Sequence, residues 1–203
     1  MSLSLTLAYS FYIDQDISNA SIKHPRIAVT EHVFEIAPSG RSKCRSCGGA
    51  IAKDSIRFGE VMPNPFGDGN MTQWHHPGCA AFRRPEPLLE ALAADGYEGP
   101  DVREITRQAE SIQPHRRLQR IGKAERASSG RAKCRACQEL IEKEAWRLPL
   151  IFFEDGNYAS SGFIHATCTT QYCETQEVTD TVRHFAAELA ADDLDELIKA
   201  IMA

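Results

Sequence analysis

Eight cysteine and histidine side chains recur along the chain at the spacing of zinc ligands. Two Cys-x-x-Cys pairs are each followed by a His-x-x-Cys pair, after 28 intervening residues in the first case and 27 in the second. The two-residue gap lets both sulfurs of a tight turn face one ion, and a His and a Cys three residues apart share one face of a helical turn. The predicted ligands are Cys44, Cys47, His76 and Cys79 in the first set, and Cys134, Cys137, His165 and Cys168 in the second set.

Each set combines three thiolates with one imidazole, a closed tetrahedral arrangement that is typical of structural Zn²⁺. Soft sulfur ligands disfavour Mg²⁺ and Ca²⁺. A redox role for a Cys-x-x-Cys pair is the alternative, but it would have to hold twice, each time at the same distance from a His-x-x-Cys pair. The sequence therefore predicts two zinc ions per chain.

An internal repeat with an offset of 90 residues relates the two sets. Residues 38–58 read PSGRSKCRSCGGAIAKDSIRF, and residues 128–148 read SSGRAKCRACQELIEKEAWRL. Each unit continues to a turn-forming segment, FGDGNM or FEDGNY, and ends in aromatic-x-His-x-x-Cys. The chain is therefore built from two related modules.

The repeat also decides between neighbouring candidate ligands. His165 follows its aromatic residue by two positions, and the histidine at that position in the first unit is His76. His75 is then predicted to be an exposed neighbour. Cys173 has no counterpart in the first unit and is predicted to be a buried small side chain or a free thiol.

Apolar patterning predicts an α+β fold class with two small zinc-finger modules, each a short antiparallel sheet plus helices. Period-2 stretches predict strands over residues 32–36, 56–62 and 146–153, and capping and breaker residues predict helices over 85–95, 100–111, 177–190 and 192–202. The predicted segments are an N-terminal segment without assigned structure (1–30), a first finger (31–85), a helical connector (86–114), a second finger (115–173) and acidic C-terminal helices (174–203).

The charge of the chain is distributed unevenly. The formal net charge is −5. Residues 38–85 carry seven Lys/Arg against three Asp/Glu, and residues 115–147 carry ten against four, whereas residues 174–203 carry two against eight. Basic charge around the cysteines can create a positive face on an acidic protein, although ordinary solvated surface is the alternative reading.

The sequence has no apolar run of the roughly 18 residues that a membrane helix needs, so no membrane role is predicted.

Several motifs of the first unit resemble those of a known family. The SGRxxC-x-x-C opening, the KDSIR segment, the Phe-x-Asp-Gly turn and the W-x-H-x-x-C close resemble the zinc finger of poly(ADP-ribose) polymerase, which also occurs at the start of DNA ligase III. The resemblance runs from about residue 32 to residue 82 in the first unit, and more loosely from about residue 116 to residue 173 in the second. No catalytic domain of that family is recognised in the chain.

This resemblance implies binding to DNA strand breaks, nicks included, by shape rather than by sequence. It implies basic side chains that grip phosphates and apolar side chains on the turn that stack on base pairs exposed at the break. Arginine forks suit phosphate, and an apolar wedge gains from covering an unstacked base pair. The DNA-binding residues implied by the resemblance and the repeat are Arg41, Arg57, Phe66 and Met71 in the first unit, and Arg131, Arg147, Phe153 and Tyr158 in the second unit.

Simpler roles exist for these side chains. Phe66 and Phe153 could pack in small cores, as most aromatic residues do, and Arg41 and Arg131 could form surface ion pairs. The second unit also carries additional glutamates and a longer segment over residues 159–162, which leaves its DNA role open.

Three classes of function are therefore weighed. The first is a sensor or recruiter in DNA repair that binds nicks or ends, has no catalysis of its own and works with a separately encoded repair enzyme. Its acidic tail would serve as a partner or homodimer surface, or as a packed cap on the second finger. The second class is a zinc-stabilised protein-interaction adaptor without DNA binding. The third is an enzyme, but no adenylation lysine motif, phosphate-cradling glycine loop or two-metal carboxylate cluster is recognised, and no small-molecule substrate is predicted.

The thiols and the DNA role together predict an intracellular location at DNA, in a bacterial cytoplasm or nucleoid or in a nucleus.

Overall fold

A computed structural model describes residues 32–203 of the chain except residues 96 and 98. The segment predicted over residues 1–30 lies outside the described residues. Within them, two three-stranded antiparallel sheets combine with six α-helices and two short 3₁₀ helices, which confirms the predicted α+β class. No helix in this part of the chain is long and apolar enough to cross a bilayer.

The first sheet has the strand order β1–β2–β3. Its strands are β1 at Val33–Ile36, β2 at Ile56–Pro63 and β3 at Asn70–His75. Phe34 lies opposite Phe58 in the β1–β2 register. A Cβ atom on Gly59 would lie 2.7 Å from the ring of Trp74 on the neighbouring strand, so only glycine lets that indole lie over the middle of the sheet.

The second sheet repeats this arrangement in the order β4–β5–β6. Its strands are β4 at Glu125–Arg126, β5 at Trp146–Glu154 and β6 at Asn157–His165. Residues 155–156 form a two-residue hairpin turn with φ values of 47° and 74°, the left-handed conformation that the tightest hairpins require. Leu150 pairs with Gly162 but Ile151 pairs with Ser160, so a β-bulge accommodates the longer segment of the second unit.

The helices come after the third strand of each sheet. They are α1 at Pro77–Arg83, α2 at Pro85–Asp95, α3 at Val102–Ile112, α4 at Thr169–Cys173, α5 at Thr179–Phe185 and α6 at Ala191–Met202, with 3₁₀ helices at Leu118–Arg120 and Ala166–Cys168. The prediction of one helix over residues 177–190 is wrong in its extent. The backbone N–H of Leu189 donates to the Ala186 carbonyl at 2.9 Å, and this turn returns the chain as α6.

A small apolar cluster joins the first sheet to the helices that follow it. Its members are Phe58, Ala80, Ala81, Leu88, Ala91, Ile105 and Ala109, all nearly inaccessible to solvent. They come from β2, α1, α2 and α3. The connector helices are therefore packed against the first module rather than free between two modules.

The main core is continuous from the first module to the C-terminal helices. It contains Ile51 and Phe82 of the first module, Leu148 and Ile164 of the second sheet, and Leu197 of α6. Phe82 on α1 has its ring centroid 6.2 Å from that of Phe185 on α5. The apolar faces of α5 and α6 thus complete the core, and their acidic faces remain outside.

We expect Phe82→Ala to lower the free energy of unfolding by about 3–5 kcal/mol, because it removes a buried aromatic side chain and leaves a cavity where α1 meets α5. Phe82 is 2% exposed. The measurement is urea denaturation of the zinc-loaded protein. The matched control is Phe66→Ala, whose side chain is 83% exposed and should change stability by no more than about 0.5 kcal/mol. Equal stability losses in the two variants would contradict the packing described here.

Candidate zinc centres and nucleic-acid interface

The first predicted ligand set converges on one point. Cys44 and Cys47 lie on a tight turn after β1, in which the Gly48 N–H donates to the Cys44 carbonyl at 2.8 Å. His76 directly precedes α1, and Cys79 lies in its first turn. The donor atoms of these four side chains all lie within 4.8 Å of one another. The junction between β3 and α1 thus lies against the turn that carries the first two cysteines.

The second set has the same construction. The Gln138 N–H donates to the Cys134 carbonyl at 2.9 Å, and Gln138 has a φ of 67° where the first module has a glycine at 76°. The four donor atoms again lie within 4.8 Å of one another. The Nδ1 atom of His165 is 3.4 Å from the Cys137 sulfur and 3.8 Å from the Cys168 sulfur. The repeat in sequence is therefore a repeat in geometry.

Both histidines present the same ring nitrogen to their set. The Nε2 atom of His76 lies 3.2 Å from the Ala50 carbonyl, and the Nε2 atom of His165 lies 3.2 Å from the Leu140 carbonyl. A carbonyl oxygen only accepts, so each Nε2 carries the proton and Nδ1 is left with its lone pair for the metal.

The thiols of each set cannot all ionise without a cation among them. In the first set, the contact with Cys79 holds the pKa of Cys44 well below its usual range, and the same contact, together with burial, raises the pKa of Cys79 far above it. In the second set, burial opposes ionisation of Cys134, but backbone N–H donors outweigh it and lower the pKa to about 7. Burial and the nearby Cys134 raise the pKa of Cys168 to about 12.

A divalent cation at the centre of each set removes this conflict, because it stabilises all three thiolates together. Three sulfurs and one nitrogen fill a tetrahedral shell, so Zn²⁺ would have a structural role and no open position for substrate. The two Cys₃His sets are zinc sites, and zinc is the cofactor of the chain, one ion per set.

The neighbours of the ligands differ from one expectation. The sequence predicted an exposed His75, and this is wrong. His75 is fully buried, and its Nδ1 lies 2.8 Å from the Ser46 hydroxyl. Alternation along β3 was the available signal, since Gln73 and His75 share the buried face of that strand. Cys173 is buried, as predicted, and burial raises its pKa to about 12.

Two of the predicted DNA contacts in the first module lie at its surface. Phe66 is 83% exposed in the loop between β2 and β3, where its backbone N–H donates to the Asn64 side-chain oxygen at 3.0 Å. Arg41 is exposed on the turn that precedes the first cysteine. Met71 is half-buried opposite Met62 at the base of that loop.

Arg57 has a different environment. It is 7% exposed, its Nε donates to the Glu35 carboxylate at 3.0 Å, and its guanidinium lies 3.6 Å from the centre of the Trp74 ring. Its Nη1 also donates to the Ser42 hydroxyl at 2.7 Å. Contact with a phosphate would require Arg57 to share or give up these partners, and its DNA role stays a prediction.

The second module repeats this buried group of arginine, glutamate and aromatic ring. Arg147 is 8% exposed, donates to Glu125 at 2.9 Å and lies 3.8 Å from the centre of the Phe163 ring. Sequence reasoning missed both groups. The signal was present, since each glutamate precedes its arginine by 22 residues. Arg131, by contrast, is exposed like Arg41.

The turn of the second module packs against the first module. The Gly156 carbonyl accepts hydrogen bonds from Arg45 Nε at 3.1 Å and Nη2 at 2.9 Å, and another from the Gln73 amide. The Arg84 guanidinium lies 4.1 Å from the centre of the Phe153 ring. Burial raises the pKa of Tyr158, which keeps its phenol neutral. Phe153 and Tyr158 thus contact the first module, and their contact with DNA also stays a prediction.

We expect Cys79→Ser to lower the zinc content from two ions per chain to one, because only three ligands of the tetrahedral first site remain. Zinc is measured by plasma mass spectrometry on the purified protein. Cys173→Ser is the control, since its thiol lies outside both sets and two ions should remain. Retention of two tightly held ions by Cys79→Ser would contradict the first site.

Comparisons with known proteins identify the first module. Residues 35–107 match the poly(ADP-ribose) polymerase and DNA-ligase Zn-finger region. The chain is 32% identical over 130 residues to poly [ADP-ribose] polymerase 1 of Gallus gallus, which covers 56% of this chain and 13% of that protein. Identity is 29% over 150 residues to poly [ADP-ribose] polymerase 1 of Oryza sativa subsp. japonica, with 66% and 14% covered. A polynucleotide 3′-phosphatase of Arabidopsis thaliana is 25% identical over 162 residues, with 67% and 23% covered.

The chain thus spans about one seventh of the length of these polymerases. The family match covers the part of the chain that holds the first ligand set, the first sheet and helices α1 and α2. It confirms the resemblance that the sequence motifs indicated. Residues 35–107 of this chain are thus similar to the zinc-finger region of poly(ADP-ribose) polymerases and DNA ligases.

Proposed function

We propose that the chain is a zinc-dependent DNA-binding protein that recognises nicks or ends through phosphate contacts and base stacking, without sequence readout. The observation that carries the proposal is the 83% exposed Phe66, which the first zinc-finger module presents on a loop. An aromatic side chain in that position gains from leaving water when a flat apolar surface covers it. A base-pair face at a strand break is such a surface.

Stacking at a break distinguishes broken from intact duplex. In an intact duplex every base pair is covered by its neighbours, whereas a nick can be bent open to expose two faces. Stacking of a base on an aromatic side chain is worth about 1–3 kcal/mol. Gly69, with a φ of +85°, and the Asn64 cap give the loop the tight shape that holds Phe66 outward. Met71 lies at the base of the same loop and would extend the apolar surface.

The exposed arginines are the best placed side chains to contact phosphates. Arg41 and Arg131 occupy equivalent turns and have no carboxylate partner among the residues that the structure describes. Arg57 and Arg147 lie beneath these turns, each paired with a glutamate. In this proposal Arg41 makes the principal phosphate contact, and Arg57 supports the strand from which the loop extends.

The charge of the second module is partly neutralised by the tail. Arg117 donates to Glu174 at 2.7 Å, Arg126 donates to Glu196 at 3.0 Å, and Lys123 pairs with Glu188. These ion pairs neutralise basic side chains that contribute to the positive charge counted over residues 115–147. Together with the covered turn of residues 155–156, they favour the first module as the DNA-binding surface.

The proposed activity is recognition rather than catalysis. A role in repair follows from the kind of DNA structure that would be bound, and the relatives include a protein named for acting on polynucleotide 3′-phosphates. The chain would then recruit or precede a separate enzyme at the break. A zinc-stabilised adaptor that does not bind DNA is the second candidate, and the net charge of −5 favours it.

We expect Phe66→Ala to reduce the preference for nicked over intact duplex by about 1–3 kcal/mol, because the lost stacking exists only at the break. Binding is measured by fluorescence anisotropy with two duplexes of identical sequence. Met202→Ala is the matched control, since Met202 is an exposed apolar side chain on α6, away from the loop. An unchanged preference in Phe66→Ala would refute the stacking role.

Arg41→Ala should weaken binding to both duplexes and reduce the slope of log K against log salt by about 1, as expected when one phosphate contact is lost. Arg103→Ala, at an exposed arginine on α3, is the control and should leave the slope unchanged. If the wild type ignores nicked DNA at low salt, the adaptor is the better description.

A further inference from the structure

An arginine-rich cleft lies where the two modules and the connector meet. It is bounded by the end of α1, the start of α2, the 3₁₀ helix at Leu118–Arg120 and the β5–β6 hairpin. Its volume is about 390 Å³, within the range of sites for small organic ligands. The cleft is remote from Phe66 in sequence and is not lined by any zinc ligand.

The cleft carries an excess of positive charge. Four arginines line it, at positions 83, 84, 116 and 120, against one lining carboxylate, Glu86. Arg84 is held by Glu60, to which its Nε donates at 2.8 Å. Arg116 and Arg120 pair with no carboxylate in the part of the chain that the structure describes. Two unpaired guanidinium groups therefore remain for an anion.

Two buried polar side chains, Arg83 and Tyr158, belong to the lining of the cleft, and the Arg83 guanidinium also lies 4.0 Å from the centre of the Phe185 ring outside it. Arg83 is 3% exposed, and although its Nη1 donates to the Gln119 carbonyl at 2.8 Å, its Nε has no hydrogen-bond acceptor among the described residues. The Tyr158 hydroxyl is buried close to the Ser46 side chain. A buried N–H without an acceptor is destabilising unless a ligand or water satisfies it. Burial lowers the pKa of Arg83 to about 10, so its charge persists at neutral pH.

Flat surfaces complete the lining. The Arg120 guanidinium lies 4.3 Å from the centre of the Phe152 ring, and the Arg84 guanidinium lies 4.1 Å from that of Phe153. Guanidinium planes and aromatic rings are the surfaces on which nucleobases stack. Inorganic phosphate alone would use the charge of this cleft but not these surfaces.

We propose that this cleft binds a nucleoside phosphate, with the phosphate on Arg116 and Arg120 and the base against the arginine and aromatic planes. The ligand has two sources, a free nucleotide and the phosphorylated terminal nucleotide of a DNA strand, which share this chemistry. The site does not depend on the break-recognition role proposed above, because neither Phe66 nor Arg41 lines it and a free nucleotide tests it alone.

The test is isothermal titration calorimetry of the zinc-loaded chain with deoxyadenosine monophosphate, deoxyadenosine and inorganic phosphate. Single-stranded oligonucleotides that end in a phosphate or a hydroxyl separate the two sources. The variants are Arg116→Gln and Arg120→Gln, and Arg103→Gln is the matched control on α3. Circular dichroism and zinc content establish that each variant is folded.

We expect the monophosphate to bind more tightly than either fragment, with an affinity that falls about tenfold or more in Arg116→Gln and Arg120→Gln and stays unchanged in Arg103→Gln. Preference for phosphate-ended oligonucleotides with the same variant pattern, without binding of the free nucleotide, also supports the site and assigns it to strand ends. Binding of inorganic phosphate as tight as that of the nucleotide would overturn the nucleoside assignment. Absence of binding by every probe, or an equal loss in Arg103→Gln, would overturn the site. Loss of nick preference in Phe66→Ala leaves these outcomes untouched, so the two proposals fail separately.

Discussion

Zinc ligation at the start of α1 and again after β6 is the constraint on which the rest of the structure depends. Each ion would tie the cysteine turn between the first two strands of a sheet to the residues at and after the end of its third strand, so one tetrahedral site links all three short strands. Structural zinc contributes about 10–16 kcal/mol of apparent binding free energy in small zinc modules. Sheets of this size would not be stable alone, since strands of two to nine residues bury little apolar surface.

The same module is used in two ways. In the first, the loop after β2 extends into solvent and carries Phe66. In the second, the equivalent turn packs against the first module through Gly156, whose carbonyl accepts from Arg45 and Gln73. A side chain at this position would be strained by the φ of 74°, and its Cβ would have to displace the Gln73 amide nitrogen, which would lie 2.6 Å away. Duplication of a module thus supplies one surface for a ligand and one for internal packing.

The sequence was informative where chemistry is local. The spacing of Cys44, Cys47, His76 and Cys79 is set by one ion, so the four residues could be named without the fold. The positions of β1, β2 and β5 followed from period-2 patterns and were recovered within about two residues, whereas β3, β4 and β6 were not given bounds. The buried state of Arg57 was not foreseen, because it depends on Glu35, a partner from another strand.

Contacts between segments distant in sequence escaped prediction for the same physical reason. Local periodicity shows which face of a strand or helix is apolar, but not which element covers it. Phe153 and Tyr158 read as copies of an exposed pair, yet Arg84 covers one and the first module buries the other. The sequence predicted the acidic C-terminal helices as a segment separate from the second finger, whereas Glu196 and Glu188 pair with basic residues of that module. Net charge over a window therefore overstated the positive face of that module.

The most direct test of the central claim, that the first module meets the break through its exposed turn and loop, is amide hydrogen exchange of the zinc-loaded chain with and without a nicked duplex that has no phosphate at the nick. Exchange should slow over residues 39–45 and 64–71 and stay unchanged over residues 153–158, whose turn is already packed. Protection confined to residues 153–158, or no protection anywhere in the first module, would contradict the claim.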